Sequence, residues 1–181
     1  MKTDHKEEES TGTGQAPMST TPLVSVELLA DHPHLIPAIG EIRWREWGHP
    51  PEPERLDWWV DVTSQESGRD DLPVTWVAID HLGQAVGAVG LGEFEIEERR
   101  DRSPWVMGMI VAVQWRGMGI GGQLMRTFES WARQRGYSRA WVATGGRAVD
   151  FYQKYGWELA EIIGRPSGEM VSILTKSLSG C

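Results

Sequence analysis

The chain of 181 residues has one cysteine, Cys181, at its last position. That excludes an intrachain disulfide, a CxxC redox pair and a thiolate zinc site, and it suits a reducing cytoplasm. No apolar run approaches the ~20 residues of a membrane helix, so no spanning segment is expected. The opening Met1-Lys2-Thr3-Asp4-His5-Lys6-Glu7-Glu8-Glu9 has no apolar stretch behind it and is not expected to act as a secretion signal. Histidine is sparse, and His5, His32, His34, His49 and His81 share no metal-ligand spacing, so no metal is expected. Positive charge is also short: 18 Lys and Arg stand against 26 Asp and Glu, a net charge of −8. The balance argues against nucleic acid or an anionic membrane as the main partner. It is compatible with a cationic substrate, and equally with solubility alone.

What is present is ordinary globular chemistry, with 40% hydrophobic and 24% charged residues. The length is that of one domain. Residues 1–22 carry Glu, Ser, Thr, Gly and Pro without apolar period and read as a flexible tail before a single folded unit over 23–181. Val24 to Leu29 suits a strand, Leu35 to Trp47 a helix stopped by His49-Pro50-Pro51, and Glu52 to Ser64 a second helix. Thr75–Ile79 and Ala85–Leu91 read as strands joined by a turn, and Glu93-Phe94-Glu95-Ile96-Glu97 continues with strict alternation. Trp105 to Val113 is nearly all apolar, as in a central strand covered on both faces. Ile120, Leu124, Phe128 and Trp131 form one helical stripe, with Gly136 at its cap. A strand at 140–143, a helix at 148–155 and a hairpin over 157–163 and 170–176 follow. The fold class is α/β (α+β): a mixed sheet of about seven strands with helices on its faces.

The most informative segment is Gln114-Trp115-Arg116-Gly117-Met118-Gly119-Ile120-Gly121-Gly122, between the most apolar strand and the clearest helix. Glycines there leave successive backbone N–H groups unobstructed at the positive end of a helix dipole, a ready site for phosphate or pyrophosphate, and Arg116 adds a charge. Gly117-x-Gly119-x-x-Gly122 matches the GxGxxG dinucleotide pattern, but that pattern alone is weak. A dinucleotide site also wants an acid about 20 residues on, where Val142-Ala143-Thr144 stands. The Gly-Lys-Ser/Thr of a P-loop is missing.

Arg116-x-x-Gly119-x-Gly121 resembles the R/Q-x-x-G-x-G/A element of the GNAT N-acetyltransferase superfamily, as does the stretch from Pro104-Trp105 through Val111. Phe151-Tyr152-x-x-x-Gly156-Trp157 resembles that superfamily's later FYxxxGF/W helix, and Gly168 to Leu174 its closing strand. The resemblance covers about residues 24–178. Val113 stands where many members have proline and Gly145 where many have asparagine.

The resemblance implies a mostly antiparallel GNAT-like sheet and direct acetyl transfer from acetyl-CoA to an amine. It assigns Val111, Val113, Arg116, Gly117, Met118, Gly119, Ile120, Gly121 and Gly122 to the cosubstrate. It makes Tyr152 the candidate acid for the leaving thiolate and Glu93 or Glu95 the candidate base or amine-binding acid. Acceptor residues in this superfamily come from the first helices and hairpin loops, which here offer Trp44, Trp47 and Trp59 beside the acids at 93 and 95. Aromatic walls with carboxylates suit a cationic, hydroxylated small molecule, best an aminoglycoside-type antibiotic, which would give a resistance role. Polyamines, amino acids and protein amines are the alternatives, as are a catalytically silent acyl-CoA-binding regulatory module and an acidic interaction protein. A homodimer is compatible with the resemblance.

Overall fold

A computed structural model describes residues 24–165 and 168–179; the expected tail at 1–22 lies outside the described residues. The elements are β1 (Val24–Leu28), α1 (Ile36–Trp47), α2 (Leu56–Gln65), β2 (Val74–Asp80), β3 (Ala85–Gly92), β4 (Trp105–Val111), α3 (Ile120–Gln134), β5 (Arg139–Thr144), α4 (Arg147–Lys154), β6 (Glu158–Gly164) and β7 (Met170–Ser177). The strands form one sheet in the order β1-β2-β3-β4-β5-β7-β6. Every neighbouring pair is antiparallel except β4 and β5.

Strand alternation divides the core. Val74, Trp76 and Ala78 of β2 face Ile120, Leu124 and Phe128 of α3, together with Tyr152 and Trp157. Val77 and Ile79 face Ile39 of α1 and Leu29 and Leu35 before it. Residues of opposite parity on one strand point to opposite faces, so α1 and α3 cover opposite faces of the sheet. Gly40 brings α1 against α2: a Cβ there would stand 2.7 Å from Val60 Cγ2.

Two expectations are corrected. The alternating segment 93–97 is not a strand; β3 ends at Gly92, and a short 3-10 turn covers Glu97–Arg99. Ile96 turns inward to pack with Trp105 and Ile173, so the alternation records one buried anchor in a loop. The central strand is not covered throughout. β4 pairs with β5 only at Trp105↔Trp141 and Val106↔Val142, and residues 107–109 are partly exposed or half-buried beyond that point.

Ion pairs tie the later elements to the rest. Lys176 Nζ donates to Glu129 Oε1 and Oε2 at 2.7 and 2.9 Å and to the Tyr155 carbonyl at 2.8 Å, joining β7, α3 and α4. Glu161 of β6 accepts both Arg99 Nε and Nη2 at 2.7 and 2.8 Å, and Arg102 Nη1 at 2.6 Å. The Arg99 fork, with Arg102 beside it, holds the Glu161 carboxyl down to about 2.

A depressed acid stabilises the fold above its unfolded pKa and stops doing so as pH falls through the folded value. Glu161→Gln should therefore melt below the parent at neutral pH. The gap should close as pH drops from roughly 4.3 toward about 2. Thermal melts across that range check the sign; a gap that widened in acid would contradict it.

Candidate active site

The parting of β4 from β5 creates the site. After Val106 the two strands separate into a wedge, and β4 continues to Val111 with its ladder only on the β3 side. The register slips there: Ala88 faces Ile110 while Gly90 faces Met107, so Gly108 and Met109 share one partner position as a bulge. Gly108 takes φ +51°, a conformation L side chains rarely adopt. The Ala112 N–H bonds the Val86 carbonyl at 2.9 Å on the β3 side. Strand amides alternate sides, so the Val111 N–H faces the wedge. The Val111 carbonyl faces away from β3 as well, accepting Arg116 Nε at 2.8 Å.

Beyond β4 the glycine-rich loop enters α3. Gly117 and Gly119 lie at φ +78° and +80°, and a Cβ on either would meet nothing within 4 Å, so backbone conformation rather than crowding calls for glycine. The Gly119 carbonyl accepts the Gln123 N–H at 3.1 Å, leaving the N–H groups of Ile120, Gly121 and Gly122 without helical acceptors. These donors at the start of a 15-residue helix suit a pyrophosphate. Met118 and Val113 are exposed at the loop surface. Gly121 and Gly122 also admit α4: a Cβ on them would stand 3.0 Å from Phe151 Cζ and 2.3 Å from Tyr155 Oη. Arg116 does not point freely into the loop; its Nη2 donates to Glu46 Oε2 of α1 at 2.7 Å.

Tyr152 of α4 is buried, and its hydroxyl donates to Met109 Sδ at 3.4 Å, beside the β4 bulge. Burial pushes the phenol well above its ordinary pKa, and Glu95 raises it further. The group is therefore a protonated donor at neutral pH.

The two candidate acids part company. Glu93 lines a surface groove with Asp71, Leu72, Phe94, Arg100 and Tyr137. Glu95 lies among Glu66, Glu52, Arg43 and Arg165. The residue is exposed as a whole, yet enough protein surrounds its carboxyl group to desolvate it. Desolvation, then repulsion from Glu66, raises its pKa to about 7, against the pull of Arg165 and Arg43.

The aromatic candidates serve the α1–α2 connection. Trp44 Nε1 donates to the Glu54 carbonyl and Trp59 Nε1 to the Pro53 carbonyl, both at 2.8 Å. Trp47 packs on Trp59 with ring centroids 6.0 Å apart, and Trp58 is exposed. The sequence reading missed Arg43, Glu52, Glu66 and Arg165, which the fold gathers around Glu95 from positions far apart in the chain. Among the described residues no group of three or more His, Cys, Asp or Glu could hold a metal ion, and no helix is long and apolar enough to cross a membrane.

A model of the acetyltransferase (GNAT) family matches residues 36–157. No curated protein sequence matches the chain. Among solved structures, an aminoglycoside 6'-N-acetyltransferase complexed with coenzyme A is 13% identical, with 88% of this chain and 98% of that one covered at a TM-score of 0.71. An N-acetyltransferase from Staphylococcus aureus Mu50 is 15% identical over 87% and 99% of the two chains, TM-score 0.66. A spermidine N-acetyltransferase chimera from Vibrio cholerae and hSSAT is 15% identical over 86% and 95%, TM-score 0.65. At these identities the likeness is one of fold.

Replacing Gly119 by alanine keeps the space but strains φ by roughly 1–2 kcal/mol. Gly119→Ala should weaken coenzyme A binding about tenfold by titration calorimetry. Unchanged affinity would mean that the loop holds the cosubstrate without this turn.

Proposed function

The chain belongs to the acetyltransferase (GNAT) family and is an acetyl-CoA-dependent N-acetyltransferase, from which we infer that its acceptor is a primary amine of a cationic small molecule, best an aminoglycoside-type antibiotic. One observation carries this reading: the charges of Glu66 and Glu52 act on Glu95, and that of Glu95 on the buried Tyr152, so acidic groups gather near the tyrosine beside the wedge. Aminoglycosides and spermidine, the acceptors named for proteins sharing the fold, are both polycations. An acidic cleft concentrates such amines and orients them by charge-assisted hydrogen bonds. A resistance role would follow from an antibiotic acceptor.

The loop residues Gly117 to Gly122 fit a pyrophosphate, and the wedge fits an extended arm running beside β4. Acetyl-CoA supplies the activated acyl group. The chain's residues do the rest. A free amine has a pKa near ~10 and must lose a proton before it attacks. Glu95, titrating at about 7, takes that proton, directly or through water. The Val111 N–H faces the wedge and suits the carbonyl oxygen as it gains charge. The new C–N bond forms as the C–S bond breaks, and Tyr152 gives its proton to the departing sulfur. Glu93, on its separate groove, takes no part.

The base must be ionised, so kcat/KM should rise with pH through about 7. Glu95→Gln should lose that limb and on the order of a hundredfold in kcat or more. Tyr152→Phe should lower kcat more than it raises KM for acetyl-CoA. The assay is coenzyme A release with aminoglycosides, polyamines and amino acids as acceptors. Inert aminoglycosides beside another amine class that turned over would overturn the antibiotic assignment. A Glu95→Gln enzyme with the parent's pH limb would remove Glu95 as the base.

A further inference from the structure

Arg43 is a charge that the reaction above does not use. It lies on the inner face of α1, one turn after Ile39 and Gly40, and is 2% exposed. Among the described residues only one of its nitrogens has hydrogen-bond partners. Nη1 donates to Thr63 Oγ1 at 3.1 Å and to Glu66 Oε2 at 2.7 Å, at the C-terminal end of α2. Thr63 Oγ1 spends its own proton on the Trp59 carbonyl at 2.7 Å, so it is free to accept. Nε and Nη2 are buried with no hydrogen-bond partner among the described residues.

Those two nitrogens press on the bulge of β4. A Cβ on Gly108 would stand 2.6 Å from Nη2, 2.8 Å from Cζ and 2.9 Å from Nε. The guanidinium thus touches three parts of the site at once: its own helix, the end of α2, and the strand at the mouth of the wedge. A buried cation with donors unspent is costly, and a hydrophobic residue would fill the same space more cheaply. Its worth must lie in its field. The groups facing Glu95 are Glu66 at the end of α2, Glu52 between α1 and α2, Arg165 after β6, Tyr152 of α4, and Arg43 itself. Arg43 is the buried cation among them, and it is fixed on one side by Glu66 and on the other by the bulge.

We propose that Arg43 is a positioning residue, the built-in counter-charge of the acidic cleft, which locks the end of α2 to the β4 bulge and governs the charge the cleft presents to a cationic acceptor. This rests on reading Glu95 as the acceptor-side acid. Without Arg43, Arg165 alone offsets the repulsion between Glu66 and Glu95, and Glu95 holds its proton to higher pH. Without Glu66, the repulsion goes while Arg43 remains, and Glu95 ionises earlier. The two changes push in opposite directions, and a merely structural arginine would leave the Glu95 midpoint where it is when its charge is removed.

The test follows the Glu95 carboxyl carbon by NMR as pH is varied, in the parent, Arg43→Gln, Arg43→Lys and Glu66→Gln, with kcat/KM profiles beside it. The midpoint near 7 in the parent should rise in Arg43→Gln, with a several-fold loss of kcat/KM at pH 6, and return toward the parent value in Arg43→Lys. It should fall in Glu66→Gln, where the repulsion goes and Arg43 remains. A midpoint unmoved in Arg43→Gln, or in Arg43→Met should the glutamine variant fail to fold, overturns the proposal. The carboxyl titration does not depend on turnover, so a failure of Glu95 as base, seen as a retained limb in Glu95→Gln, is separable from a failure of Arg43 as its counter-charge.

Discussion

Two ladder pairs, Trp105 with Trp141 and Val106 with Val142, are all that join the parallel seam of the sheet. Had the pairing continued, Val111 would have spent its amide on β5 and the wedge would be closed. The bulge at Gly108 and the turn into the glycine loop carry β4 away instead, and α3 begins where the departing strand points. The free N–H groups at the start of α3, the Val111 amide and the Tyr152 hydroxyl then come to one side of β4 because one strand abandons one neighbour. The backbone groups freed by the parting are what a ligand would satisfy.

Charge in the site is arranged by burial more than by pairing. Glu95 and Tyr152 are both shifted toward their protonated forms by desolvation, and the Glu95 charge raises Tyr152 further. At neutral pH the result is one acid poised between its forms and one held protonated, which is the division of labour that a proton-moving pair needs. Arg116, the loop's own cation, is already committed to Glu46 and the Val111 carbonyl. Backbone amides are therefore the loop's uncommitted positive groups, and the arginine's visible work is to tie the loop to α1.

The sequence was most legible where local chemistry decides the structure. Glycines at 117 and 119 mark a turn that only positive φ satisfies, and the stripe Ile120, Leu124, Phe128 marks the helix after it. The order of strands and helices followed from the same periodicities. It was misleading at 93–97, where alternation at period two arose in a loop: a single inward Ile96 between acids looks like a strand until Trp105 and Ile173 are in place to receive it. Trp44 and Trp59 read as pocket walls because they lie on the first two helices, and the structure shows their indole N–H groups donating to carbonyls in the loop between α1 and α2. Arg43 was illegible, since a charge on a helix reads as solvent-facing and its partners come from α2, β4 and the cleft.

The seam also bears on how the chain reaches this structure. Strands β1 to β4 meet neighbours that are mostly adjacent in sequence, and β5 to β7 form a second block linked through α4. Contacts across the seam must wait for the whole of α3 to be laid between them, so loop-closure entropy falls most heavily there. The ladder that joins the blocks is the sheet's shortest, and its few rungs offer little reward until the Trp105 and Trp141 rings, 6.3 Å apart, pack together. Joining the two blocks and creating the wedge are therefore one event: the chain has no way to complete its sheet without leaving the opening in it.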